Sequence, residues 1–258
     1  LHHLTRRQRQ MCIRDSLGSR GAALKKLYCD DPHNYGFLRT DIKDLKYYAN
    51  EIAGMGFQMN THAIGDSTVS VLLKEYQKVL NDIEDPRWRI EHSQVVDLNE
   101  FELYNDKILP SVQPTHATSD MYWAYDRLGK RIDGAYAFKD LLSQSKRIAL
   151  GTDFPVEKVN PFHTFYSSIE RKDLNGYPEN GFQIENALTR EETLKGMTIW
   201  GAYFNFEEDE KGTIEKGKSA DFIIIDQNIM KIEADKIPYT KVLKTFVDGE
   251  LVFQKDAL

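Results

Sequence analysis

Three short apolar segments each close on a side chain that binds divalent metals: FQMNTH on His62, WRIEH on His92 and RIALGTD on Asp153. A further run, ILPSVQPTH, closes on His116. The successive intervals are 30, 24 and 37 residues, each about one βα unit long. Strands of successive βα units run parallel, so their C-terminal ends share one rim, where barrel and doubly wound active sites are built. Neutral imidazole and carboxylate are ligands that zinc accepts, and a catalytic zinc keeps one position open for water. A lone histidine after a strand is more often a satisfied structural residue. Four candidate ligands in successive units shift that balance toward a metal centre.

The elements that must position them alternate between helix and strand from about residue 40, the pattern of a parallel α/β sheet. Thr40 and Asp41 offer caps for a helix carrying Ile42, Leu45, Ala49, Ile52 and Ala53 on one face, stopped by Gly54 and Gly56. A strand is expected over 57 to 62. Asp66 then caps a helix with Val69, Leu72, Leu73, Tyr76 and Leu80 on one face, ended near Pro86. A strand over 88 to 92 follows, then a helix from about Asp97 carrying Phe101 and Tyr104. The run to His116 contains Pro110 and Pro114, which fit a strand best near its ends, because proline cannot donate to the ladder. Residues 120 to 145 read as broken helix, RIALGTD as a buried strand, and 161 to 171 and 190 to 204 as helices. After Gly212 the texture becomes β-branched runs joined by glycine turns, with Asp248 and Gly249 as a hairpin turn. That is a small antiparallel module.

Composition bounds the function. The 258 residues carry 41% hydrophobic and 29% charged side chains, ordinary soluble values, and no apolar run of about 18 residues exists to cross a bilayer. A net charge of −6 disfavours nucleic acid, which selects a basic face. Two cysteines, Cys12 and Cys29, do not make a disulfide framework, so a reducing, cytoplasmic setting is expected. The first sixteen residues differ: four arginines against one acid give them +3, leaving −9 on residues 17 to 258. Their MCIRDS string resembles translated sequencing-adapter sequence, so 1–16 is expected to be a non-native leader and His2 and His3 are set aside as ligands.

The strings LGSRGAAL, NTHAIGD, RIEHSQ, SVQPTHATSD, ALGTDFPV and GTIEKGKSADFIIID with VLKTFVDGELV stand in order over about residues 17 to 253. In that order and spacing the chain resembles the amidohydrolase superfamily, in particular the amidohydrolase-3 branch that includes N-substituted formamide deformylases. The resemblance implies a metal-centred (β/α)8 TIM-type barrel flanked by a small β-sandwich. It further implies that His62, His92 and Asp153 bind metal at strands five, six and eight, and that Asp153 shuttles the proton. His92 is expected either to ligate a second metal or to polarise the carbonyl. A divalent metal, zinc by preference, one or two ions in the full-length protein, would lower the pKa of bound water to about 7. Hydroxide would then attack the carbonyl of a small amide or formamide while Asp153 takes the proton and passes it to the leaving amine. His116 and Arg20 are candidates for substrate contact. For Arg20 an ion pair competes with that role, for Asp120 helix capping competes with a role beside His116, and Asp66 reads as a helix cap. Arg89 reads as structural.

Two features of the family pattern are not found: an HxH strand and a lysine-bearing fourth strand. The expectation is therefore a half-barrel over 17–211, strands five to eight with their helices, and a C-terminal β-sandwich portion over 212–258. Such a piece exposes sheet edges and is expected to associate with itself and to be inactive alone. Ester or cyclic-amide hydrolysis at the same site, and a catalytically silent scaffold, are the competing readings.

Overall fold

A computed structural model describes residues 16–256. His2, His3, Cys12 and almost all of the expected leader lie outside the described residues. The chain divides into two compact units: the residues up to Val112 with Asp120–Ile148, and Gln113–Ser119 with the residues from Ala149 onward.

The first unit is an α/β layer. Helix α1 (Ile42–Gly54) starts at Asp41, whose carboxylate accepts the Lys43 N–H, and turns out of helix at Met55 before Gly56 at φ 69°. Strand β1 (Asn60–Ala63) leads through Gly65 into α2 (Asp66–Leu80), then come β2 (Trp88–His92) and β3 (Ile108–Val112). The three strands pair in parallel in the order β1, β2, β3, with His62 opposite Glu91 and Ile90 opposite Pro110. Helix α2 buries Val69, Leu72, Leu73, Tyr76 and Leu80, as its 3.6-residue periodicity requires, and Tyr76 meets Trp88 edge to face at 4.8 Å.

Three expectations need correction here. The helix expected from Asp97 is only a 3-10 turn over Phe101–Leu103, and Asp97 and Glu100 pair with the Lys25 ammonium at 2.8 Å each. Strand β1 begins three residues later than the 57 expected, so His62 lies inside it with Ala63 beyond. Pro110 lies mid-strand. The Trp88 N–H bonds to the Lys107 carbonyl, so alternation directs the N–H of residue 109 toward β2 and that of 110 away from it. Proline therefore costs the β2 ladder no donor. The broken helix is found as α4 (Ala124–Leu128), a 3-10 segment over Gly129–Gly134, and α5 (Phe138–Ser145).

In the second unit, Pro114 opens a helix, α3 (Pro114–Asp120), whose residues through Ser119 belong here. Proline at a first helical position loses no hydrogen bond, which is why this run turns into helix where a strand was expected to continue. Strand β4 is just Ala149–Leu150, so Asp153 follows it by three residues. Helices α6 (Pro161–Glu170), α7 (Arg190–Met197) and α8 (Ile199–Phe204) follow, α6 capped by Asn160 and α7 by a Thr189/Glu192 capping box. The core gathers Phe162, Phe165, Tyr166 and Ile237. Strands β5 (Phe222–Ile225), β6 (Val242–Val247) and β7 (Glu250–Gln254) form an antiparallel sheet. Asp248 and Gly249 both take positive φ, 50° and 80°, the two-residue hairpin turn expected of them.

Candidate metal and catalytic site

Each unit holds its own cluster of candidate residues. In the first, strand parity sets Asn60, His62, Arg89 and Glu91 on one face and Thr61, Ala63 and Ile90 on the other. The contacts agree: Arg89 Nε donates to Asn60 Oδ1 at 2.7 Å, and the Thr61 hydroxyl bonds the Tyr76 hydroxyl of α2. By parity His92 belongs with Ala63, away from His62. It does not stay there. His92 and Ser93 take φ of 71° and 44°, a left-handed turn that ends β2 and breaks the alternation. The His92 ring thereby meets His62 edge to face, with centroids 4.5 Å apart and planes at 72°.

The turn is anchored from behind. The Ser93 hydroxyl donates to the Ile90 carbonyl at 3.1 Å and accepts from Tyr104 at 2.8 Å, both groups buried. Burial pushes the Tyr104 phenol up, so it remains a neutral donor. Metal–nitrogen bonds of about 2.0–2.1 Å let two ligating nitrogens lie roughly 3–4 Å apart. The ring contact makes His62 and His92 neighbours, which a shared ligand set requires.

Other residues of the first unit have structural partners. Asp66 is not a side-chain cap: Gly65 holds the cap position, and Asp66 Oδ1 accepts the Lys25 N–H at 2.8 Å, tying the 23–25 segment to the start of α2. Its burial raises its pKa. Arg20 forms a two-pronged pair with Asp30, Nε at 3.1 Å and Nη2 at 2.8 Å, and Asp30 also holds Arg127 at 2.7 Å. Asp120 accepts from the Tyr136 hydroxyl at 2.8 Å and from Gln94 at 3.2 Å, partners that sequence reading did not supply.

In the second unit, His116 sits on the first turn of α3 and is buried. Asp153 is half-buried, at φ 57°, a left-handed non-glycine residue of the kind that gathers at functional sites. His116 Nε2 lies 3.1 Å from Asp153 Oδ2. On the other edge of the ring, Nδ1 lies 3.5 Å from Glu157 Oε1, which also accepts from the Ser119 hydroxyl at 2.6 Å. The His116 imidazole holds the Glu157 carboxyl below the usual carboxylate range; burial opposes this and Ser119 assists it. Glu157 was missed in the sequence, although it stands four residues past Asp153 in DFPVE.

The Amidohydrolase family model (Amidohydro_3) matches residues 1–253. YtcJ of Bacillus subtilis is 32% identical over 248 residues, 93% of this chain and 46% of that protein. The N-substituted formamide deformylase of Arthrobacter pascens is 21% identical over 227 residues, covering 85% of this chain and 40% of the relative. A crystal structure of a metal-dependent hydrolase from Pyrococcus horikoshii superposes with a TM-score of 0.74 at 28% identity, over 85% of this chain and 44% of that one. The chain thus spans less than half the length of each of these three relatives. With a family match across nearly its whole length and an α/β fold shared with a metal-dependent hydrolase, the chain belongs to the amidohydrolase family, in its amidohydrolase-3 branch.

Proposed function

We propose that this chain carries part of the site of a metal-dependent hydrolase that cleaves carbon–nitrogen bonds other than peptide bonds, in small amides or formamides. The observation that carries the reading is the His62/His92 pair, brought ring to ring by a left-handed turn at the end of β2, in a chain related to a formamide deformylase. In this reading β1 to β3 belong to a (β/α)8 barrel and β5 to β7 to a β-sandwich.

His62, His92 and Asp153 would hold a divalent metal, zinc by the nitrogen and oxygen character of the donors. When bound, such a metal makes water acidic enough to ionise near neutral pH. Asp153 takes the proton as the carbonyl is attacked and returns it to the departing amine, with His116 at hydrogen-bond distance from that carboxylate. Arg20 would reach a substrate anion only by leaving Asp30.

The chain alone is proposed to be inactive, and the activity to belong to a protein of its relatives' length. The test is zinc content by elemental analysis and hydrolysis of N-substituted formamides, on this chain and on the chain completed to that length. Zinc and turnover in the completed protein, with Asp153→Asn lowering kcat by about 10²–10⁴-fold, are expected. Stoichiometric zinc with turnover in the 258-residue chain would overturn the inactivity proposal, and turnover indifferent to Asp153→Asn would overturn the site.

A further inference from the structure

Strand β2 ends in a bulge. The Arg89 N–H reaches the Met59 carbonyl at 3.0 Å and the Val95 N–H reaches the Ile64 carbonyl at 2.9 Å, so the β2 side advances six residues while β1 advances five. One extra residue is taken up between these two bonds. His92 and Ser93 absorb it with φ of 71° and 44°, torsions that are costly for residues bearing a Cβ. Beyond them the chain is fixed again: the Gln94 carbonyl accepts the Tyr136 N–H at 2.8 Å, and the Val96 N–H reaches the Gly134 carbonyl at 2.9 Å. Backbone pairing on both sides demands that a residue be accommodated, but it does not choose which residues of 92 to 94 turn over.

Side chains make that choice. The Ser93 hydroxyl reaches back to the Ile90 carbonyl at 3.1 Å, a local side-chain bond that competes with continued strand. Tyr104, which follows the 3-10 turn Phe101–Leu103, donates to the same hydroxyl at 2.8 Å. With Tyr104 on its oxygen, the single hydrogen of Ser93 is left for Ile90. Ser93 and Tyr104 are 0% and 1% exposed, so the two bonds are shielded from water.

We propose that Tyr104 is a positioning residue: through the Ser93 hydroxyl it fixes the bulge at His92 and Ser93, and so turns the His92 imidazole to meet His62. The proposal rests on the reading of His62 and His92 as partners in one site. Were the extra residue taken up at 93 and 94 instead, strand alternation would leave the His92 ring on the Ala63 face, away from His62. Phenylalanine at 104 fills nearly the same space but leaves the buried Ser93 oxygen without its donor. The two hydroxyls act in series, so removing either has the same consequence and removing both adds nothing.

The test is the nuclear Overhauser contact between the His62 and His92 rings in the 258-residue chain, kept metal-free with chelator and held at one pH. The ring signals are assigned by their disappearance in His62→Gln and His92→Gln. The contact is expected in the unaltered chain and is expected to be lost in Tyr104→Phe, in Ser93→Ala and in the double variant. Tyr76→Phe is the control: it too removes a buried tyrosine hydroxyl, one bonded to Thr61 of β1, and should keep the contact. No contact in the unaltered chain, a contact retained in Tyr104→Phe, or an equal loss in Tyr76→Phe would overturn the proposal. If Tyr104→Phe does not fold, Ser93→Ala is read in its place. If neither folds, the Tyr104 hydroxyl proton of the unaltered chain decides: protection from exchange supports the relay, and rapid exchange refutes it. Neither metal nor turnover enters this measurement, so its failure and the failure of the hydrolase reading are separate results.

Discussion

The rings of His62 and His92 meet at 4.5 Å although strand alternation would set them on opposite faces of the sheet. What reverses the parity is one backbone torsion, the φ of 71° at His92. A β-branched side chain is poorly accommodated there, whereas asparagine enters the left-handed region readily. Both His92→Val and His92→Asn remove the imidazole; at this buried position the apolar side chain favours valine, so a lower stability for valine must come from the backbone torsion. His92→Val is expected to be the less stable by about 1 kcal/mol. Urea unfolding of the two variants measures this, and a valine variant as stable as the asparagine one would show that torsional strain does not outweigh the gain from apolar burial.

Gly65 illustrates close approach rather than conformation. Its φ is −79°, open to any residue, yet a Cβ there would lie 2.0 Å from the Ala23 carbonyl oxygen. That oxygen also accepts the Ser67 N–H, and Asp66 takes the Lys25 N–H, so the 23–25 segment cannot withdraw without losing both bonds. Gly65→Ala should therefore destabilise the chain by about 1–3 kcal/mol. Gly54 is the control: at the end of α1 it has nothing within 4 Å of its added Cβ, and Gly54→Ala should be neutral or stabilise by up to about 1 kcal/mol. Thermal unfolding of the pair checks both signs.

How far the sequence announced this molecule differs from residue to residue. The apolar faces of α2 and the β2 strand were readable because periodicity and burial coincide: Val69, Leu72, Leu73 and Tyr76 are all buried, and Trp88–His92 has the bounds expected. The Asp248–Gly249 turn was readable because its torsions suit those residue types. His116 was expected at a strand end and sits in a helix; Pro114 at the first helical position was the available signal, read instead as a strand defect. The reversal at His92 was not readable: histidine is among the residues enriched in the left-handed region, but nothing in the apolar run WRIEH marks where the strand turns. Glu157 and Tyr136 were missed for another reason. Their roles depend on partners 41 and 16 residues away, His116 and Asp120, and no local pattern encodes such pairings.

Glu100 offers a test by pH. Its carboxylate, with a side chain only 10% exposed, takes the Lys25 ammonium at 2.8 Å, the Lys74 ammonium at 2.7 Å and the Ser70 hydroxyl at 2.8 Å. Burial alone would raise its pKa, but these bonds together outweigh burial and the net shift is downward from 4.5. Asp97, on the same lysine, is lowered as well. A carboxyl whose pKa is lower folded than unfolded stabilises the fold above its unfolded pKa and loses that contribution as pH falls through the folded value. Acidification from about pH 5 toward pH 3 should therefore weaken the first unit. Glu100→Gln can still accept from Ser70 but no longer neutralises two lysines. It is expected to cost about 1–2 kcal/mol at neutral pH and to flatten the acid side of the stability profile. Urea midpoints taken at successive pH values decide the matter: a Gln variant that loses stability with acid as steeply as the unaltered chain would mean that other carboxylates carry the acid sensitivity.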